Sequence, residues 1–402
     1  MLAPRWMKLL RDMAAAQGRY LTMVIAIAIG TATVTAILSA YTILDREVSG
    51  NYLGTHPASA QLDLDEIDDA LLSQVRLRPD IAEAEASSTF VARAEVTPGE
   101  WLPLMLFVVP DFSALQINAF HAQAGAWPPP TGTMLLERTA LPLSHADLGG
   151  TVSVDTPDGK HHDLQITGLV HDPGLAPAWQ EQTIYGYITP ATLALLTPQP
   201  QLHLLKIIVR QNANNARAIE ATARELAQWL VATGHPVHAI RIPPPQLHPH
   251  QAQMRAALTL LLMFSLLALV LAAVLTATLV GGLLAQQIRQ IAIMKAVGAR
   301  SAQIFGLYLA LIAAVATVST LIGLPLGLAA GRGFASVVAE LLNLELTSRA
   351  VPPWLPMSVV ALGELIPLFT ALPPIFIAAR RTVRSAIDDH GVDQQSAASA
   401  AI

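Results

Sequence analysis

Side chains able to do chemistry are few in this chain and poorly spaced for it. There is no cysteine, which excludes a disulfide framework, a thiolate metal site and a cysteine nucleophile. His161 and His162 are adjacent in a strand-like stretch, so their rings point to opposite faces. His235, His238, His248 and His250 fall in and around a proline-rich linker; a solvated tether is the simpler reading and a metal site the alternative. No G-x-S-x-G elbow marks a hydrolase, and no G-x-x-x-x-G-K-S/T phosphate loop occurs. The residues point to a non-catalytic chain with no metal or cofactor of its own and no P-loop ATPase activity.

What remains is a segment patterned for contact. "QQIRQIAIMKAVGAR", Gln286 to Arg300, lies between two long apolar runs and holds every Lys and Arg between Leu258 and Gly331. Ile288, Ile291, Met294 and Val297 recur every three residues, with Ala292 beside them, giving one apolar helical stripe. Arg289, Gln290 and Lys295 fall largely off that stripe, and Gly298 suits a helix C-cap. Such a helix can seat in a groove on another protein or lie on lipid headgroups. The pattern alone supports both equally.

The elements around that segment belong in a membrane. Of 402 residues, 53% are apolar and only 13% charged, against about a quarter charged in ordinary globular chains. Four apolar runs, at Tyr20–Leu44, Ala256–Ile288, Ala302–Gly331 and Val351–Ala379, each exceed the ~20 residues that cross a bilayer as a helix. The first follows Arg5, Lys8, Arg11 and Arg19 but is too long for a signal h-region and lacks a good cleavage site; it reads as an uncleaved anchor. We therefore expect spans at 20–44, 256–285, 304–331 and 354–378. Segments 1–19, 286–303 and 379–402 together hold ten Lys/Arg against four acids, and 45–255 holds twelve against twenty-two. The positive-inside rule then puts both termini and 286–303 in the cytoplasm, and 45–255 with the loop 332–353 outside. The net charge of −5 is small and gives no sign of a nucleic-acid partner.

The outward segment 45–255 reads as a mixed α/β domain. A short helix fits Leu64–Pro79, a strand Leu102–Val109, and a hairpin Thr151–Val170 around Pro-Asp-Gly. "LLKIIVR", then a helix with Ile219, Ala223, Leu226 and Leu230 on one stripe, then "VHAIRI", make a strand–helix–strand unit. Trp179, Tyr185 and Tyr187, set among prolines, are either core or a surface for a partner. Glu364 interrupts the fourth run near Pro367, Pro373 and Pro374; a mid-membrane acid marks a gating or inter-subunit contact, or else stays neutral or snorkels. "GLPLGLAAG", Gly323–Gly331, suits close helix packing, with a subunit interface as one place for it.

"IRQIAIMKAVGARSAQIF" resembles the R-R-x-E-I-G-I-L-K-A-x-G-A-x-x-x-Q-I signature of FtsX-like permeases, the membrane subunits of ABC transporters in the macrolide-efflux and lipoprotein-release class. Lys295, Ala296, Gly298, Ala299, Gln303 and Ile304 match it, while Gln290 replaces the usual Glu and Ala292 the usual Gly. The order of one span, a large outward domain and three spans also matches. The resemblance implies a permease of the bacterial inner membrane whose loop 286–303 is a coupling helix, docking through Ile288, Ile291, Met294, Lys295, Val297 and Gly298 on a separate cytoplasmic ATPase. That partner would bind the ATP and Mg and deliver motion to the outward domain. It also implies a homodimer or a heterodimer with a paralogue, and for some members a periplasmic adaptor. The rival readings are a scaffold controlling an outward partner without transport, and a sensor without an ATPase.

Overall fold

The computed structural model describes residues 17–248 and 251–380. The remainder of the N-terminal segment, His250 and most of the basic tail, Arg381 and Arg384 included, lie outside the described residues. In chain order the elements are α1 (Gln17–Gly54), β1 (Ala60–Leu64), α2 (Asp69–Arg76), β2 (Ile81–Thr97), β3 (Glu100–Val108), β4 (His121–Gly125), β5 (Thr133–Glu137), α3 (Ala140–Ser144), β6 (Thr151–Asp155), β7 (His161–His171), α4 (Ala178–Glu181), β8 (Ile184–Ile188), α5 (Pro190–Leu196), β9 (Leu204–Val209), α6 (Ala216–Ala232) and β10 (Val237–Arg241). They are followed by α7 (Gln251–Gln286), α8 (Ile288–Ala296), α9 (Ser301–Leu341) and α10 (Trp354–Arg380). Two compact units result: a helical one from residues up to 44, 255–337 and 348 onward, and an α/β one from 45–254 and 338–347.

In the helical unit, α1, α7, α9 and α10 are long and apolar enough to cross a membrane. All four expected spans are helical, and all run past their expected ends: α1 continues to Gly54, α7 begins at Gln251, α9 continues to Leu341 and α10 to Arg380. The expected loop 332–353 is therefore helical over its first ten residues. Met23 and Ile27, Val280 and Leu284, Ile312 and Val315, and Ala371 and Ile375 share one core. Large apolar side chains such as Met263, Phe264, Leu267 and Leu271 point outward from α7, as lipid-facing positions do.

The closest approach in this unit uses residues four apart on α9. A Cβ at Gly323, Gly327 or Gly331 would lie 2.5–2.6 Å from the carbonyl oxygens of Ala28, Ala32 and Ala36 in turn. Only hydrogen at those three positions lets the two backbones come so near, with Thr31, Thr35 and Ser39 filling the flanks. The glycine stripe thus packs against α1 of the same chain, where a subunit interface had been one expectation. Pro325, Pro367, Pro373 and Pro374 sit inside α9 and α10 without breaking them.

The α/β unit is organised by β2, whose 17 residues serve two layers. Ile81–Ser87 pairs with β9, extending an antiparallel layer in the order β10-β1-β9-β2. Ser88–Thr97 pairs with β3, and within it Arg93 and Ala94 pair with β6. From there the ladder runs β3-β8-β5-β7-β6 and returns to β2. Those six strands form a closed ring, which leaves them no open edge among themselves. Its interior is filled by alternate residues such as Ala94, Leu104, Met134, Val154, Ile166 and Ile184. The first layer instead buries one face under α2 and α6, through Leu71 and Val75 and the expected stripe Ile219, Ala223, Leu226 and Leu230. Asp68 caps α2 and Asn215 caps α6 with side-chain oxygens on backbone N–H groups. The expected hairpin is β6–β7, closed by a Thr156 N–H to Lys160 carbonyl bond of 3.0 Å, with Gly159 taking the left-handed turn position.

One further segment belongs to this unit although it follows α9's membrane stretch. Glu137, at the end of β5, is fully buried. Its Oε1 accepts from Asn343 Nδ2 at 2.7 Å, and its Oε2 accepts from the Thr139 backbone N–H at 2.7 Å and from the Thr139 hydroxyl. The Arg138 guanidinium donates to the Asn343 side chain and to its carbonyl (3.1 Å), and pairs with Glu345 at 3.2 Å. His171, also buried, stands 3.9 Å from both Glu137 and Glu345. Glu47 completes the attachment by accepting from Thr347 N–H (2.8 Å) and hydroxyl (2.6 Å). Asn343 holds a left-handed backbone, φ 58°, which Asn tolerates better than most residues. Removal from water pushes the Glu137 carboxyl up, but the His171 imidazole, the Thr139 hydroxyl and N–H and the Asn343 amide outweigh it. The group is held below its ordinary value of 4.5.

Two measurements check this packing. Gly327→Ala should lower the thermal midpoint of the purified chain, since overpacking typically costs about 1–3 kcal/mol, whereas Gly333→Ala, with nothing near its Cβ, should leave it unchanged or slightly raised. Because the folded pKa of Glu137 is depressed, its stabilisation is present above 4.5 and is lost as pH falls through the lower folded value. Glu137→Gln should therefore flatten the acid limb of an unfolding-midpoint-versus-pH curve. Asn343→Ala, which strips one bond from a buried carboxylate, should cost about 1–3 kcal/mol at neutral pH.

Candidate functional site

The segment singled out by its charge and periodicity is the short helix α8. It ends at a C-cap Val297, after which Gly298 turns with φ 102° and the Ala299 N–H bonds back to the Met294 carbonyl at 2.9 Å. The expected stripe is divided between two environments. Ile291 is buried among residues of α1, α9 and α10, and Met294 packs against the same cluster. Ile288 is half-buried. Lys295 turns back as well, donating from Nζ to the Ala379 carbonyl at 2.7 Å. These four residues hold α8 onto its own helical unit.

The face left open consists of Arg289, Gln290, Ile293, Ala296, Val297 and Gly298. Ile293 is 55% exposed and Val297 84%, a large apolar exposure for residues one turn apart. Of the six residues expected to dock, Val297 and Gly298 lie on this face. The three-residue repeat takes in Ile291 and Met294, which pack inward, and Val297, which does not; Ile293, four residues before Val297, lies off that repeat. Gln290, which takes the place of the signature's Glu, is exposed beside them. The end of α7 reaches this region too: Gln286 Oε1 accepts from Arg19 at 2.6 Å, and Gln287 Oε1 accepts from the Tyr308 hydroxyl at 2.6 Å.

Glu364 lies eleven residues into α10 and is partly buried. It has no hydrogen bond or ion pair among the described residues. In the α/β unit, Tyr185 and Tyr187 are buried on β8, so the partner-surface expectation does not hold for them. Every residue of that strand is enclosed, one face by the ring interior and the other by a cluster in which Tyr187 meets Phe107 and Phe120. Trp179 alone of the three is exposed, at 48%.

The histidines do not converge. His238 bonds Asp65 at 2.7 Å, and His248 is buried beside the Tyr52 ring with its Nε2 3.2 Å from the Pro173 carbonyl. The linker at His248 is thus packed, where a solvated tether had been expected. Among the described residues no three His, Cys, Asp or Glu side chains are placed to hold a metal ion.

Comparison with known proteins gives the following. No curated protein matches the chain in sequence. Among solved structures, the extracellular domain of the noncanonic ABC-type transporter YknZ from Gram-positive bacteria is 13% identical, with a TM-score of 0.32, covering 44% of this chain and 100% of that one. The periplasmic region of MacB from Actinobacillus actinomycetemcomitans is 9% identical, with a TM-score of 0.30, covering 52% and 95%. Neither superposition is close enough to carry an argument. Residues 262–383 match the model of the FtsX-like permease C-terminal domain. That stretch takes in most of α7, all of α8 and α9, and α10, so the C-terminal region of the chain is similar to that domain.

Proposed function

We propose that the chain is the membrane subunit of an ABC transporter, docking a separate cytoplasmic ATPase on α8 and passing ATP-driven motion to its outward domain. The observation that supports this most directly is the split character of α8. One side is anchored through Ile291, Met294 and the Lys295–Ala379 bond, and the other presents Ile293 and Val297 to the surroundings. A helix seated this way moves with the spans it is attached to, and its open apolar side is what a groove on a partner would take. The ATP and Mg belong to that partner, and two copies, or one copy and a paralogue, would complete the assembly. The chain lies in the bacterial inner membrane with its termini in the cytoplasm, and an adaptor on the outer side is compatible with this arrangement.

Transmission has a physical route in the chain itself. Helices α1, α7 and α9 each run without a break past at least one end of their apolar runs. The end of α9 and the residues after it are then fixed by Glu137, Arg138 and Glu47. The spans contain hardly any ionisable groups apart from Glu364, and a polar solute path normally needs them. Work delivered outside the bilayer suits that composition better than a channel through it.

The test separates docking from folding. Ile293→Glu and Val297→Asp should each abolish co-purification with the ABC ATPase encoded beside the chain while leaving the thermal midpoint unchanged. Ile291→Glu should lower the midpoint. If Ile293→Glu and Val297→Asp retain the ATPase, α8 is a membrane-surface helix and the docking assignment fails.

A further inference from the structure

A cavity of about 790 Å³ opens in the outward unit where β2 passes from one layer to the other. Drug-sized ligands occupy clefts of roughly 300–1,000 Å³ with mostly apolar walls and a few placed polar groups. Along one side, Arg241 lies opposite Gln61, Gln61 opposite Lys206, and Lys206 opposite Glu85. Directly opposed residues in an antiparallel pair share a face, so these four form a row across β10, β1, β9 and β2. Arg241 and Lys206 are two strand spacings apart, about 10 Å at the backbone. Along the other side, Met105, Phe107 and Leu115 give the cavity an apolar wall.

The charges in this cavity are unequally satisfied. Glu85 is already engaged, since its Oε1 accepts from the backbone N–H groups of Gln116 (2.6 Å) and Ile117 (3.1 Å). Asp172 is engaged too, accepting from the Tyr187 hydroxyl at 2.7 Å and the Gly174 N–H at 2.8 Å. Burial pushes its carboxyl up. Lys206 and Arg241 have no hydrogen bond or close ion pair among the described residues. Burial pushes the Lys206 ammonium down, and the nearby Glu85 and Asp172 only partly offset this. A buried ammonium compensated only in part by Glu85 and Asp172 is costly, and an anion brought to it, within reach of the exposed Arg241, relieves that cost. Asp63, next along β1 on the same face, and Asp69 and Asp111 also line the cavity, which leaves room for one compact anionic head at Lys206.

We infer that this cavity binds a single-tailed amphipathic anion, its carboxylate or phosphate head on Lys206 and Arg241 and its tail along Phe107, Met105 and Leu115. The inference uses the outward unit alone, so it stands or falls separately from ATPase docking.

The test is equilibrium dialysis of radiolabelled decanoate against the full chain in lipid nanodiscs, with empty discs as background. Wild type should bind one decanoate per chain saturably and hold decyl phosphate at the same site. Lys206→Gln should weaken binding about tenfold or more, as loss of a charge-assisted bond implies, and Lys206→Arg should restore it. Acetate and inorganic phosphate should bind at least tenfold more weakly than decanoate, which separates a tailed ligand from a plain anion. Bound decanoate should also protect Lys206 from acylation by acetic anhydride, read by mass spectrometry. Equal decanoate binding by wild type and Lys206→Gln, acetate binding as tight as decanoate, decylamine binding better than decanoate, or no saturable binding would each overturn the inference.

Discussion

The arrangement of the α/β unit turns on one buried carboxylate. Glu137 is out of contact with water, and a charge in that position is tolerable only when its oxygens are fully bonded. The Thr139 N–H and hydroxyl supply part of this locally. The rest comes from Asn343, more than two hundred residues later in sequence. The domain between the first and second spans is therefore incomplete without the ten residues that follow the third. Its own chemistry forces the chain after α9 to return to it, and Arg138 and Glu47 then fix the neighbours of Asn343.

A second constraint acts in the helical unit, where Gly323, Gly327 and Gly331 bring α9 against α1 at backbone distance. Hydrophobic burial does little to hold helices together in lipid, so packing of this closeness has to supply the cohesion. Both constraints fall on the same helix: its membrane stretch is fixed to α1 and its far end leads to the Glu137 cluster.

The parts of this molecule legible from sequence were those set by local periodicity. The four spans, the stripe on α6, the Pro-Asp-Gly hairpin and the cap after α8 follow from patterns of a few residues repeated or terminated. What the sequence hid was non-local. Residues 81–97 have no clean alternation because their two halves face different layers, so β2 was not foreseen. For Tyr185 and Tyr187 the prolines nearby left core and partner surface both open, and β8 proves to be a central strand buried on both faces. On α8 the three-residue repeat spans two environments: Ile291 and Met294 face inward, and Val297, with Ile293, faces out. Nothing near Glu137 in sequence announces Asn343.

The absence of native cysteine permits a direct test of whether motion reaches the outward unit. Spin labels would be placed at Leu77→Cys in that unit and Met357→Cys in the helical one, both strongly exposed, with the chain bound to its ATPase in nanodiscs. The account predicts that the distance distribution between the labels shifts when ATP and Mg are added to a hydrolysis-deficient ATPase. An unchanged distribution with the nucleotide bound and the ATPase still attached would contradict it.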